Sequence, residues 1–367
     1  MSHLLISDPT LRDGNHAVKH QLDARQIAAY ARAADRAGVP IVEVGHGNGL
    51  GASSLQVGES LISDHEMLSV ARENLPNARL GVHVIPGFAT INRDLKPALQ
   101  IGVDVVRVAA HCTEADTTQR HISFAREFGK EVYGVLMMSH MASKEVLTEE
   151  ALKMESYGAE GVIIMDSAGA YLPGEVTERF QSLSQSLNIP LGFHAHNNLG
   201  MAIANSLAAV DAGATILDGT ARGFGAGAGN TQLEVLVAVL DRLGFSTGID
   251  LYKILDAGDV AEKELIKVVP SIKSMSVVSG LAGIFSAFVQ PVERIAREYE
   301  VDARDVFFEL GRRKAVAGQE DLIIEVAAFL EARKSDVESH KKSNPARPAN
   351  PHLNGFSPAN HQGGNPS

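Results

Sequence analysis

Short apolar runs alternate with longer segments whose apolar residues recur at helical spacing, and the alternation repeats eight times before Gly244. Leu4–Ser7, Ile41–Val44, Arg79–Val84, Val103–Ala109, Glu131–Met138, Gly161–Met165, Leu191–His194 and Ala214–Leu217 read as strands. The segments that follow them read as helices: Ala24–Ala37, Ser63–Glu73, Ile91–Gln100, Ala115–Phe128, Lys144–Tyr157, Glu175–Leu187, Met201–Ala212 and Gln232–Leu243. Strands that are apolar on both faces and rich in Val and Ile belong to parallel sheets covered by helices. Eight such units predict an α/β fold, a (β/α)8 TIM barrel over residues 1–247. A doubly wound open sheet is the alternative, because periodicity alone does not show closure.

After Gly244 the strand pattern stops. Leu251–Ile266, Pro291–Tyr299, Ala303–Lys314 and Glu320–Lys334 read as helices, a small C-terminal helical domain over 248–334 that serves as a cap or interface. From Ser335 to Ser367 Asn, Pro, Ser, Gly and His dominate, which predicts a disordered tail. Its His340, His352 and His361 read as solvated linker residues.

Composition narrows the function classes. With 367 residues, 45% of them apolar, the chain can bury one large core and a smaller one. A formal charge of -11 argues against a nucleic-acid surface and an anionic membrane, which call for clustered Lys and Arg. One cysteine, Cys112, excludes an internal disulfide and fits a reducing compartment. No run reaches membrane-spanning length and the N-terminus lacks signal-peptide character, so the expectation is a cytoplasmic protein.

The chemistry concentrates at the predicted strand exits, which share one mouth in a barrel. Asp8-Pro9-Thr10-Leu11-Arg12-Asp13-Gly14-Asn15-His16 reads as a loop holding two carboxylates, a guanidinium and an imidazole. At the seventh exit His194-Ala195-His196 offers two imidazoles, which point to the same side when two apart on a strand. Two satisfied loop histidines are the plain alternative. With Asp13 as a third donor, two His and one carboxylate form an open, catalytic type of divalent-metal set. Mn²⁺, Mg²⁺, Co²⁺ or Fe²⁺ would suit it.

Arg12 can hold a carboxylate or balance a growing oxyanion, and His16 has the pKa of a general base. Together these suit a 2-oxo acid and carbon–carbon cleavage through a metal-bound enolate. Ser167 at the sixth exit reads as a substrate contact. Gly223, Gly225, Gly227 and Gly229 lead to Asn230, which is read as an outer-shell metal residue or, slightly preferred, a helix N-cap. Without the lysine of a P-loop, this glycine run is weak evidence for a nucleotide and fits close backbone approach to a site.

Thr10-Leu11-Arg12-Asp13-Gly14 together with His194-Ala195-His196-Asn197-Asn198-Leu199 resembles the DRE-TIM metallolyase superfamily. Val44-Gly45-His46-Gly47, Arg107–Asp116, Leu136–Met141 and Gly225–Asn230 narrow the resemblance to the 4-hydroxy-2-oxovalerate aldolases, over residues 5 to 330. The resemblance implies a class II aldolase that cleaves 4-hydroxy-2-oxo acids to pyruvate and an aldehyde, usually with Mn²⁺, in aromatic hydrocarbon catabolism. It implies Asp13, His194 and His196 as ligands, with His194 also against substrate, Arg12 on the enolate and His16 as base. It also implies a homo- or hetero-oligomer in which an acylating aldehyde dehydrogenase is the partner.

Isopropylmalate-type, acyl-CoA-dependent synthases of the same superfamily are a second enzyme reading. Asn15-His16 and Gly225-Ala226-Gly227 depart from the synthase pattern. A barrel kept as a non-catalytic scaffold is the non-enzyme reading, against which the intact Arg12, Asp13, His16, His194 and His196 speak. The chain also departs from the aldolases. Two tyrosine positions are Leu281 and Phe285, and a leucine-rich run before Pro86 is His83-Val84-Ile85. These changes point to a paralogue that condenses pyruvate or 2-oxobutyrate with a bulkier or aromatic aldehyde in a biosynthetic setting.

Overall fold

The computed structural model describes residues 3–316, 319 and 321–343, with side chains described as far as Lys334. Eight parallel strands close into a barrel: β1 Leu5–Leu11, β2 Ile41–Val44, β3 Arg79–Val84, β4 Val105–His111, β5 Glu131–Met137, β6 Gly161–Asp166, β7 Leu191–Ala195 and β8 Ile216–Asp218. Pairing of β1 with β8 completes the ring, so the open-sheet alternative falls. Outside it run α1 Ala24–Ala37, α2 Asp64–Asn74, α3 Lys96–Ile101, α4 Gln119–Glu127, α5 Lys144–Ser156, α6 Pro173–Ser186, α7 Ala202–Asp211 and α8 Leu233–Arg242. Each helix lays an apolar stripe on the barrel; Ile27, Tyr30, Ala31 and Ala34 of α1 are all buried. Asp23 caps α1 in a reciprocal box with Gln26.

The barrel interior is layered. Ile41, Val105, Tyr133, Val135, Ile163, Met165 and Ile216 form an apolar plug. Beside it, Ser7, Glu43, His83, Arg107, His194 and Asp218 are buried polar residues on six different strands. Strand register lines several of them up: Ser7 opposes Asp218 and His83 opposes Arg107.

β1 is longer than the sequence suggests. Asp8–Leu11, read above as loop, continues the strand, and the pairing with β2 shifts register between Asp8 and Leu11. Pro9, which has no N–H to donate, sits inside that irregularity. Asp8 is fully buried and accepts from the Tyr30 hydroxyl at 2.6 Å and the Thr10 amide at 2.9 Å. Asp8 thus ties β1 to α1 just before the chemically dense turn.

The chain then adds α9 Leu251–Glu264, α10 Ser274–Ala282, α11 Val289–Glu298, α12 Ala303–Arg312 and α13 Asp321–Ser343. α9 follows the expected boundary at 247/248 in sequence, yet its Ile254, Ala257 and Ala261 pack into the barrel core. The later helices share a core of their own, built on Phe288, Val292, Ile295, Val306, Phe307, Leu310, Val326 and Ala327. α10 is absent from the sequence reading; its Ser-rich, uncharged stretch has no clear helical stripe. The backbone of α13 is described as far as Ser343, into the first part of the expected tail. The rest of that tail, 344–367, with His352 and His361, lies outside the described residues.

Two predictions follow from this packing. Phe307→Ala empties a fully buried site in the second core and is expected to lower stability by about 3–5 kcal/mol in denaturant unfolding. The second concerns Asp8, whose carboxyl burial pushes up from 3.8 to about 6, against the lowering by Thr10 and Tyr30. The fold therefore favours protonated Asp8: its contribution is complete below the unfolded value and is lost as pH rises through about 6. Relative to wild type, Asp8→Asn should gain roughly 3 kcal/mol between pH 3.5 and pH 7. Parallel stability–pH curves for the two proteins would contradict this.

Candidate metal centre and active site

Asp13 opens a short turn, Asp13–Val18, directly after β1, while His194 lies in β7 and His196 just beyond it. All three are buried, and their ligand atoms lie within 4.8 Å of one another. His194 Nδ1 is 2.8 Å from Asp218 Oδ2, so Nδ1–H donates and Nε2 keeps its lone pair. His196 Nδ1–H donates to the Asp166 carbonyl at 3.0 Å, which frees its Nε2 in the same way. Among the described residues neither Nε2 has a hydrogen-bond partner. Burial lowers the His196 imidazole to about 4, keeping it neutral and able to donate a lone pair.

Asp13 completes the set. Burial would raise its carboxyl, but Arg12 first and then His196 and His194 hold it well below the usual carboxylate range. Its Oδ1 accepts from Arg12 Nη1 at 2.7 Å and its Oδ2 from Asn230 Nδ2 at 2.6 Å. Asn230 thus orients the carboxylate; the N-cap of α8 is Gln232, so the helix-cap reading of Asn230 is corrected. A β-carbon on Gly225 would lie 2.3 Å from Asn230 Nδ2 and 2.9 Å from Asp13 Oδ2. The glycine run after β8 is there to bring backbone against this pair.

A line of buried charges reaches across the barrel behind the donors. Arg12 Nε donates to Glu43 Oε1 at 2.5 Å, and Glu43 Oε2 is 3.3 Å from Arg107 Nη1. Arg107 Nη2 donates to Asp218 Oδ2 at 2.6 Å, and Asp218 holds His194. Sequence reading missed Glu43, Arg107 and Asp218. Their signal was a lone charge inside an apolar strand: Ile41-Val42-Glu43-Val44, Val105-Val106-Arg107-Val108 and Ile216-Leu217-Asp218. Asp13, Glu43 and Asp218 outnumber Arg12 and Arg107 by one, so a divalent cation fits the charge of the site as well as its open donors.

His16 stands at the edge of this group. Gly47 lies against its ring, where a β-carbon would come within 2.5 Å. Burial, with Arg12 adding to it, lowers the His16 pKa from its ordinary value and leaves a neutral imidazole. His20 is 5.1 Å from it, edge to face, and stacks at 3.6 Å on His46. The Phe285 ring is 6.2 Å from His16, again edge to face, so of the two altered tyrosine positions this one borders the site. Leu281 is 63% exposed on the outside of α10.

The second core is fastened over the barrel mouth by polar contacts. Asn198 Nδ2 donates to Ser286 Oγ at 2.7 Å and to the Ala168 carbonyl at 2.9 Å. His140 Nε2 is 2.9 Å from the Gly283 carbonyl and so donates to it. These bonds position the segment that carries Phe285. Ser167, expected against substrate, accepts from the Met138 amide at 2.9 Å and is buried in the loop it braces.

Comparison with known proteins places this architecture. Residues 3–261 match the HMGL-like family model and residues 270–332 match a DmpG-like communication domain. The 4-hydroxy-2-oxovalerate aldolase of Spirochaeta aurantia is 66% identical over 90% of this chain and 97% of its own. That of Pectobacterium atrosepticum is 63% identical over 91% and 97%, and that of Streptomyces tendae 60% over 90% and 92%. Among solved structures, the carboxyl transferase domain of Rhizobium etli pyruvate carboxylase shares the fold at 18% identity, with a TM-score of 0.74 over 90% of this chain and 60% of that one. Barrel, communication domain and near full-length identity agree: the chain belongs to the 4-hydroxy-2-oxovalerate aldolase family.

Proposed function

We propose that this protein carries out its family's reaction, reversible cleavage of a 4-hydroxy-2-oxo acid to a 2-oxo acid and an aldehyde, with Asp13, His194 and His196 as the metal ligands. The observation that carries the reading is the convergence of these three donors, two with partnerless Nε2 atoms, beside a partnerless Arg12 Nη2. A divalent cation there, for which Mn²⁺ is the first choice, would polarise the 2-oxo carbonyl and share negative charge as it grows on oxygen.

The chain's own residues do the rest. Arg12 is pinned through Nε and Nη1 by Glu43 and Asp13, leaving Nη2 to donate to a substrate oxygen. Neutral His16 accepts the proton of the 4-hydroxyl. As the aldehyde carbonyl forms, the C3–C4 bond breaks and its electron pair becomes an enolate opposite Arg12. The proton taken up by His16 is then delivered to C3, which gives the 2-oxo acid and restores neutral His16. In condensation the steps reverse, and His16 returns the proton to the aldehyde oxygen. Ser167 and Asn230 act through Met138 and Asp13, as positioning residues rather than substrate contacts.

The resemblance and the communication domain support an acylating aldehyde dehydrogenase as partner, in a cytoplasmic setting. On the second core Val277, Leu281, Phe308 and Ile324 expose apolar surface suited to such docking. Among the described residues no helix is long and apolar enough to cross a membrane.

Stripped of metal and reloaded with Mn²⁺, the protein is expected to exchange the C3 protons of pyruvate in deuterium oxide, followed by NMR. Metal uptake without exchange would refute the aldolase reading. His16→Ala should slow cleavage of 4-hydroxy-2-oxovalerate by roughly 10²–10⁴-fold while Mn²⁺ stoichiometry holds. His196→Ala should lose the stoichiometric Mn²⁺ in equilibrium dialysis.

A further inference from the structure

His83 is a buried polar residue of the barrel interior that the aldol reaction, as derived above, does not use. It lies on β3 in register with Arg107 and is 2% exposed. Its Nδ1 is buried with no partner. Burial first, and Arg12 next, hold its imidazole well below the ordinary histidine value, and Glu43, Arg107 and His194 share that environment. The ring is therefore neutral, with one nitrogen to donate and one to accept.

An unpaired buried polar atom is destabilising, and an apolar side chain would fill this place without that penalty. Buried polar groups are nearly always paired in the working state, so a bound molecule is the natural partner for this one. The charged end of a 2-oxo acid already has Arg12 Nη2 and the metal donors. A neutral imidazole adds no charge to that end; it suits an uncharged hydrogen-bonding group. Resting on the aldolase reading, we propose that His83 is a specificity-determining residue that hydrogen-bonds a heteroatom carried by the substituent of the aldehyde substrate. The substrate class is then hydroxy- or other heteroatom-bearing aldehydes, in preference to alkyl aldehydes of the same size.

Matched aldehydes test this. The Mn²⁺-loaded enzyme is assayed for condensation of pyruvate with glycolaldehyde against propionaldehyde, and with 3-hydroxypropanal against butanal. In each pair a hydroxyl replaces a methyl, so the ratio of kcat/KM reads hydrogen bonding apart from size and absolute rate. The wild type should prefer the hydroxyl member of at least one pair by roughly tenfold or more. His83→Leu should bring that ratio to near one, and His83→Asn, which keeps a donor and an acceptor, should restore part of it. A wild-type ratio near one in both pairs overturns the proposal, without requiring any variant to fold. So does an unchanged ratio in a folded His83→Leu protein. If the wild type neither condenses these aldehydes nor exchanges the C3 protons of pyruvate, the aldolase reading itself fails and this assignment falls with it.

Discussion

Everything at the mouth of this barrel depends on one buried run of alternating charge: Asp13, Arg12, Glu43, Arg107, Asp218 and then His194. Taking five charged side chains out of water is unfavourable by itself, and mutual attraction in the interior offsets it only when the geometry is good. Removing one member would leave its neighbours buried and unpaired, typically a loss of about 3–5 kcal/mol. The run is thus a poor way to stabilise a barrel and a good way to immobilise two groups. At one end it fixes Arg12; at the other it fixes the tautomer and direction of His194. The same link that makes the interior expensive makes the donors rigid.

The surplus negative charge of that run explains why the centre belongs with a cation. The bases near it stay neutral in spite of that charge, because burial outweighs it. His16, His83 and His196 are all held below the ordinary histidine value by burial, and for His16 and His83 the nearby Arg12 adds to it. The site is completed from outside the barrel: Asn198 to Ser286 and His140 to Gly283 bind the second core, and so set Phe285 beside His16. A phenyl ring offers no proton in that place, so the proposed mechanism gives Phe285 no part in proton transfer and rests that step on His16.

The barrel was legible because eight largely apolar strands with eight amphipathic helices leave few ways to be buried. The convergence of Asp13, His194 and His196 was legible because all three carry metal-donor atoms and stand at strand exits, which share one mouth in a barrel. The supporting residues were not. Glu43, Arg107 and Asp218 look like isolated charges in strands, and only barrel closure shows that these strands point them at one another. Asp8 was read as part of a catalytic loop because its bond to Tyr30 spans a strand and a helix, a contact that spacing cannot reveal. Asn230 was given to a helix cap for a similar reason: its tie to Asp13 links opposite ends of the barrel sequence. α10 escaped notice because its buried face, Ser276, Ser279 and Gly280, is small and polar and leaves no apolar stripe in the sequence.

The central claim is that one divalent cation sits on Asp13, His194 and His196. An anomalous difference map from crystals of the Mn²⁺-loaded protein tests it directly. The account predicts one strong peak within bonding distance of Asp13, His194 Nε2 and His196 Nε2. A map with no peak there, or with the ion held by other side chains, would contradict it.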